Sequence, residues 1–508
     1  MTGAQLTNPA NPAKPMNLQD LFDGTGIAAP DLMVSDIGNN TASLTRGSLF
    51  LACQGRRSHG LDYLPAALES GVAAVAWEPV EGRVPPVLPA GVAAFPVAEL
   101  SQRLGQLADR FFASPSAALS VTAITGTNGK TTTAFLLAQA LNGAGKTAAY
   151  LGTLGWGLPD ALQPGQLTTP DSVELQRQLA AIRDLGASQV VLEASSHGLD
   201  QGRLNGVRIA VAALTNLSRD HLDYHGDLEA YAEAKARLFF DCAPGAAVIN
   251  IGDSWGSQLA TRLAGKLPVV SVALLSNDAT QSGANLLGRL TATERRGLGL
   301  SFSGDFGESE LSSPLWGEFN AENLLVATGS LLALGLKLDE ATAALSSCVA
   351  PPGRLQRLHG NGRHAEAIVD FAHTPEALQQ ALSAVRQHTR GQLWCVFGCG
   401  GDRDAGKRAA MGEVAASLAD QVVLTDDNPR SEDPEAIAAD VLAGMPDAER
   451  VARIADRSAA IQFALKTAAN DDAVLIAGKG HETQQWLADG AVDFSDVAVA
   501  RAALSGAP

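Results

Sequence analysis

The stretch from Ala117 to Gly145 constrains the chain most. An apolar run, AALSVTAI, hands over through Gly126-Thr127-Asn128-Gly129-Lys130-Thr131-Thr132 to TAFLLAQALNGAG, an apolar segment closed by glycine. These read as a buried strand, a loop and a helix. A glycine-rich loop at a helix N-terminus offers backbone N–H groups and the positive end of the helix dipole to an anion, so the segment predicts a phosphate site. Lys130 is placed to neutralise β/γ-phosphates and the Thr131 hydroxyl to reach Mg²⁺. The spacing is shorter than the usual Walker A pattern; the strand-loop-helix context favours a nucleotide loop over a glycine-rich turn with an incidental lysine.

A buried strand of this kind needs a sheet around it. Further apolar runs, SQVVLEA, IAVAALTNL and AAVINI, alternate with helical segments and predict a largely parallel sheet. Before it, residues 18–114 alternate short apolar runs such as SLFLA and GVAAVAWEP with Gly and Pro turns, giving a small mixed domain. Residues 115–349 form the central domain, with antiparallel strands expected between Val269 and Ser313 and a helix through NAENLLVATGSLLALG. Residues 350–508 carry four apolar strands that each end in a polar cluster: AIVDFAHTP, LWCVFGCGGDRD, QVVLTDDNPR and AVLIAGKGHE. In an open parallel sheet, ligands bind outside the carboxyl ends of the strands, so these clusters are expected to share one crevice of a Rossmann-like domain.

At 508 residues and 46% hydrophobic, the chain is too long for one ordinary core and apolar enough for several. A net charge of -17 argues against general affinity for nucleic acid or an anionic membrane. The five cysteines are scattered without a zinc-site pattern and read as reduced thiols. Residues 1–17 are polar and proline-rich, read as a disordered tail, and contain no signal peptide; no later stretch is long and apolar enough to span a bilayer. A cytoplasmic, monomeric protein without membrane insertion is expected.

Glu193 and His221 each follow a buried strand, where a carboxylate and an imidazole can hold a cation or simply cap the strand end. In DLEAYAEAKARLFF, Leu228, Tyr231, Leu238 and Phe239 share a helix face, and Lys235 falls among them. Such a lysine either snorkels to solvent or, if buried, loses its proton and becomes able to take up CO₂ as a carbamate. Arg203, Arg354, Arg403 and Arg430 sit in turn-like motifs, where guanidinium forks suit carboxylates and phosphates, though any one can be a surface arginine.

GTNGKTTT, LTTPD, EASSHGL, TNLSRDHLDYHG, YAEAKARLF, PPGR, DFAHTP, GDRDAGKR, DDNPR and GKGHE occur in this order, and as an ordered set they resemble the Mur ligases, in particular the diaminopimelate-adding group. The resemblance spans the chain beyond the tail. It implies an α/β, three-domain architecture: a mixed N-terminal domain that binds the UDP-substrate, a P-loop-type central ATPase domain and a Rossmann-like C-terminal domain that binds the incoming amino acid. It implies an ATP-dependent, ADP-forming amide ligase of peptidoglycan precursor synthesis. Its substrates would be UDP-N-acetylmuramoyl-L-alanyl-D-glutamate and meso-diaminopimelate, with an acyl-phosphate intermediate.

By the same resemblance, Gly126 to Thr132, with Asn320, Arg354 and Asp370, contact ATP. Thr131, Glu193, His221 and a carbamate on Lys235 serve Mg²⁺, and Lys130, Lys235, His221 and Glu193 carry the catalysis. Thr41, Thr168, Thr169, Ser195, Gln201 and Arg203 contact the UDP-substrate, while Arg403, Asp427, Asn428, Pro429, Arg430, Gly478 and Glu482 contact the amino acid. DNPR marks diaminopimelate because Arg430 can pair with the distal carboxylate that lysine lacks. The chain departs from the family at Asn40-Thr41-Ala42, where Asp-Ser-Arg is usual, and at His59, where aspartate is common. Rival readings are the same reaction with L-lysine, a folylpolyglutamate-synthetase-like ligase, a non-catalytic nucleotide-binding regulator and a P-loop kinase.

Overall fold

A computed structural model describes residues 14–275, 283–359 and 365–505, and the chain divides into two compact units. The first comprises residues 1–271 and 329–336; the second, residues 272–328 and 337–508. No helix among the described residues is long and apolar enough to cross a membrane.

The first unit begins with order inside the segment expected to be a tail. Met16–Asn17 pairs with Met33–Val34, and the Asn17 side chain caps the helix Leu18–Leu21, whose Leu18 and Leu21 are fully buried. Residues 1–13 lie outside the described residues. A four-stranded sheet follows, Ile37–Gly38, Leu49–Ala52, Ala74–Trp77 and Ala93–Pro96, all parallel and in chain order. Because successive side chains alternate sides, Leu49 and Leu51 face Leu100, Leu104 and Phe111, while Phe50 and Ala52 face Ala67 and Val72. Burial on both faces explains why SLFLA reads as a continuous apolar run.

The same unit holds a parallel sheet in the order Ala246–Asn250, Val211–Leu214, Ser120–Thr125, Gln189–Glu193, Ala148–Gly152, edged by an antiparallel Gly155–Gly157 strand. After Ser120–Thr125 the chain crosses to Ala148–Gly152 two places away on one side, fills the gap with Gln189–Glu193, then passes to Val211–Leu214 on the other. The loop after the first of these strands therefore lies at the switch point, where a ligand crevice opens.

In the second unit, the Val269–Leu275 strand pairs from Val272 in parallel with Leu286–Glu294, which pairs antiparallel with Gly297–Gly304, and that with Ser309–Ser313. The antiparallel expectation thus holds for three strands and not for Val269–Leu275. Pairing direction depends on the route of the connection, which local texture does not record. The other sheet runs Gln356–Leu358, Glu366–Asp370, Ala473–Ala477, Leu393–Phe397, Gln421–Leu424, Ala452–Arg453, all parallel except the first. Leu393, Cys395 and Phe397 pack with the helices Pro375–His388, Lys407–Leu418 and Pro434–Leu442; Trp394 and Val396 pack with Arg457–Thr467 and Asp496–Ser505. Helices on both faces of a parallel sheet make the Rossmann-like layout expected from the sequence.

Candidate active site

At the switch point of the first unit, the Gly126 to Thr132 loop is braced by the neighbouring strand end. Thr127 N donates to Asn216 O at 2.9 Å, Asn128 N to Asn216 Oδ1 at 2.9 Å, and Thr215 Oγ1 to Asn128 O at 2.6 Å. Glycine is required at 126, where φ is 148° and a Cβ would lie 1.9 Å from Thr215 Oγ1. The helix Lys130–Gly143 starts directly behind, and the first N–H groups of a helix have no intrahelical acceptor. Lys130 Nζ folds back onto the Gly126 and Thr127 carbonyls, each at 2.9 Å, so the amine stands over the cradle.

Glu193 ends its strand fully buried and accepts from the Thr131 hydroxyl at 2.9 Å, from Thr153 N at 2.9 Å, from Thr153 Oγ1 at 3.2 Å and from the Tyr150 hydroxyl. A Cβ at residue 152 would strike its carboxylate, so Gly152 leaves the space that the carboxylate fills. Thr153 Oγ1 lies 3.0 Å from Thr168 Oγ1. Thr169 Oγ1 bridges Glu193 O and Ser195 N, while Thr169 O accepts from Arg203 Nη1 at 2.5 Å. Arg203 is in turn oriented by Gln201 Oε1 at 2.8 Å. The expected residues from Thr168 to Arg203 are thus one hydrogen-bonded chain leading to the phosphate loop.

Lys235 is 1% exposed and does not snorkel. Its amine donates to Gly126 O at 2.8 Å and lies 4.2 Å above the Tyr231 ring, whose hydroxyl reaches Thr127 Oγ1 at 3.3 Å. Burial, reinforced by the positive charge of Lys130, pulls the Lys235 pKa well down, and the Tyr231 phenol is pushed up to about 12 by burial. Leu228, expected on the same buried face, is 44% exposed.

His221 is exposed, with a left-handed backbone (φ 52°), and meets His197 at 5.0 Å and Tyr231 at 6.1 Å between ring centroids. Thr41 sits on a short turn, Thr41–Ser43, capped by Asn40 through Ala42 N at 3.0 Å. The altered tripeptide therefore keeps a capped turn. His59, the other departure, is fully buried: Nδ1 accepts from Leu61 N at 3.0 Å and Nε2 donates to Glu78 O at 2.9 Å. The imidazole does the capping that an aspartate side chain does.

In the second unit the clusters at the strand ends converge. Asp370 accepts from Leu355 N at 2.7 Å and Ala372 N at 2.8 Å; burial raises its pKa against those bonds and the nearby Arg354. Arg354 stacks 4.8 Å over Phe371, which meets His481 at 5.3 Å. Among the described residues, Arg354 Nε and His481 Nδ1 are buried without a hydrogen-bond partner, two polar atoms whose chemistry fits a bound ligand. Asn320 is buried, its amide donating to Trp316 O at 2.7 Å and its carbonyl accepting from Asn323 at 2.8 Å.

Around Ala473–Ala477, the DNPR loop meets the GKGHE turn. Asn428 Nδ2 donates to Glu482 Oε2 at 3.0 Å, and Gly478 leaves room for Asp427, whose Oδ2 would be 3.0 Å from a Cβ there. Arg430 has φ 54°, donates to Gly401 O at 2.7 Å, and its backbone N–H donates to Trp486 O at 3.0 Å, with Pro429 before it. Arg403 is exposed on the facing GDRD turn. Burial raises the Asp427 pKa in spite of Arg457 and Lys479.

Several residues here were not singled out from the sequence. Asn216, Tyr150 and Thr153 have signals no stronger than any polar residue at a strand end. Tyr224 and His225 lie in TNLSRDHLDYHG and His197 in EASSHGL, and only folding brings their rings together, His197 tilted against Tyr224 at 4.0 Å and edge-on to His225 at 5.5 Å between centroids. Lys479 lies within GKGHE and is fully buried.

No group of three or more His, Cys, Asp or Glu suited to a metal occurs among the described residues. A hydroxyl and a carboxylate 2.9 Å apart at a phosphate loop nevertheless fit Mg²⁺, which takes few protein ligands and completes its shell with phosphate and water.

Comparison with known proteins finds three family matches along the chain. Residues 34–112 match the Mur ligase family, catalytic domain; residues 124–331 the Mur ligase middle domain; and residues 353–480 the Mur ligase, glutamate ligase domain. The chain is 46% identical over 477 residues to the UDP-N-acetylmuramoyl-L-alanyl-D-glutamate–2,6-diaminopimelate ligase of Alkalilimnicola ehrlichii, covering 92% of this chain and 94% of that one. It is 43% identical to the ligase of the same description from Pseudomonas aeruginosa, covering 97% and 98%. A solved structure of a ligase with that description superposes with a TM-score of 0.70 at 36% identity, covering 97% of this chain and 99% of the other.

Proposed function

Because the chain belongs to the Mur ligase family and has its three-domain architecture, we propose that it is the ligase that adds meso-diaminopimelate to the D-glutamate of UDP-N-acetylmuramoyl-L-alanyl-D-glutamate. The observation that carries the choice of amino acid is the joining of the DNPR loop to the GKGHE turn through Asn428 and Glu482. That arrangement gathers a guanidinium, an amide and a carboxylate, donors and acceptors that match a molecule with ammonium and carboxylate groups at each end. The proposed domain limits are 18–114, 115–349 and 350–508.

ATP binds at the Gly126 to Thr132 loop, with Asn320, Arg354 and Asp370 as further nucleotide contacts. Thr41, Thr168, Thr169, Ser195, Gln201 and Arg203 hold the UDP-substrate; Arg403, Asp427 to Arg430, Gly478 and Glu482 hold the amino acid. Thr131, Glu193, His221 and a carbamate on Lys235 are the residues for Mg²⁺. Bound there, Mg²⁺ would offset charge on the phosphates. Burial lowers the Lys235 pKa and so favours the neutral amine, the nucleophilic form that CO₂ requires.

In the reaction, a carboxylate oxygen of the D-glutamyl group attacks the γ-phosphorus of ATP and ADP departs, leaving an acyl phosphate. Lys130 and the helix N-terminus hold the charge that moves onto the phosphate oxygens. The diaminopimelate amine then attacks the acyl carbon, phosphate leaves and the nitrogen gives up a proton to yield the amide. The proposal includes a cytoplasmic, monomeric enzyme working on small molecules without membrane insertion; five free cysteines support a reducing compartment.

The test is phosphate release by the purified protein with ATP, Mg²⁺ and the UDP-dipeptide, comparing meso-diaminopimelate with L-lysine and weighing the product. Release and a tripeptide product with diaminopimelate alone are expected. Release with lysine instead would leave a ligase and overturn the role of DNPR.

A further inference from the structure

Lys479 has no task in the proposed reaction, although it stands at the centre of the acceptor cluster. It follows Gly478 in the turn after Ala473–Ala477 and is 0% exposed. Its ammonium donates to Asn428 Oδ1 at 2.9 Å and to Glu482 Oε2 at 2.9 Å, and lies 3.7 Å from Asp427 Oδ1, a buried atom without a hydrogen bond of its own. Asn428 Oδ1 also accepts from Trp486 N at 3.0 Å, and Asn428 Nδ2 reaches Glu482 Oε2 at 3.0 Å. Two donors thus converge on Oε2 of Glu482, while among the described residues none reaches Oε1. The Glu482 side chain is 36% exposed, so the second oxygen is available to a ligand. A carboxylate clamped at one oxygen and open at the other is an oriented acceptor for an ammonium group.

Resting on the diaminopimelate reading above, we propose that Lys479 is a positioning residue for the acceptor amino acid: it locks Asn428 and Glu482 together so that Glu482 Oε1 meets the incoming ammonium group. The lock also answers a charge problem. Asp427 and Glu482 are brought near one another by the two motifs, and without a cation between them their repulsion would spread the cluster. Glu482 accordingly titrates low: burial pushes its pKa up, and the hydrogen bonds from Lys479 and Asn428 with the Lys479 charge overcome that push.

The experiment is steady-state kinetics of K479M, K479R, E482Q and the K479M/E482Q double variant, varying each of the three substrates in turn. K479M is expected to raise KM for diaminopimelate about tenfold, with KM for ATP and for the UDP-dipeptide within about twofold of wild type, and K479R to recover part of the loss. The double variant is expected to match E482Q, because Lys479 acts through Glu482. An unchanged acceptor KM in K479M, an equal rise for all three substrates, or additive losses in the double variant would each overturn the role of Lys479. Wild-type protein that turns over ATP and the UDP-dipeptide only with a different acceptor would overturn the diaminopimelate reading itself, and the variants then report separately on the acceptor actually used.

Discussion

The side-chain nitrogen of Lys235 donates to the carbonyl oxygen of Gly126 at 2.8 Å, joining the helix Leu228–Phe240 to the first residue of the phosphate loop. Among the described residues no carboxylate is hydrogen-bonded to this buried amine, and burial beside the positive charge of Lys130 pulls its pKa well below the ordinary lysine value.

Replacing Lys235 by Met is expected to lower kcat by about two orders of magnitude or more, read by phosphate release. It is also expected to flatten a pH dependence of stability. The folded pKa lies well below the ordinary lysine value of 10.5, so between the two the unfolded chain binds the extra proton and wild-type stability rises with pH. Urea midpoints across neutral to alkaline pH check the slope, which should be shallower in K235M.

Glu193 receives bonds from the Thr131 hydroxyl, the Tyr150 hydroxyl and Thr153. E193Q keeps the shape and loses the charge. We expect a higher half-saturating Mg²⁺ concentration and a fall in kcat of about a hundredfold, measured by Mg²⁺ titration of phosphate release. A wild-type Mg²⁺ curve would remove Glu193 from the cation site.

Arg430 is held by the Gly401 carbonyl at 2.7 Å and by a left-handed backbone supported at Trp486. R430M is expected to cut kcat/KM for meso-diaminopimelate about a hundredfold or more and to change that for L-lysine little, since only the former has a distal carboxylate to leave unpaired. Competition between the two amino acids reads the ratio directly.

His59 caps its turn from within the core. H59A is expected to destabilise the first sheet by about 1–3 kcal/mol, because Leu61 N and Glu78 O both lose a partner; H59N, which retains an acceptor, should cost less. Amide exchange along Leu49–Ala52 would show it as faster opening.

Arg457 and Asp496 form a fully buried two-bond pair at 2.7 and 2.8 Å. D496A strands a guanidinium in the core of the second unit and is expected to cost about 3–5 kcal/mol in urea unfolding, with exchange of the exposed Asp493 as a near-neutral control.

The local elements were legible in the sequence because each follows from a run of adjacent residues. The Ser120–Thr125 strand, the loop at Gly126 and the helix after it are set by an apolar run, glycines that tolerate φ of 148° and 82°, and a helix-forming segment. The strand ends at Asp370, Phe397, Leu424 and Ala477 were legible for the same reason.

What the sequence could not decide was whether Lys235 snorkels or is buried, since both fates share one helical spacing; packing against Tyr231 and Gly126 settled it. Nor does spacing reveal that Lys479 stands between Asp427 and Glu482, or that His59 serves as a cap rather than a lost aspartate. The sequence by itself determined the elements and the residue types at their ends, because propensity and periodicity act over a few residues. Only the tertiary structure decided which of those ends share charge and hydrogen bonds, because strand order and burial bring together groups from distant parts of the chain and set the dielectric around them.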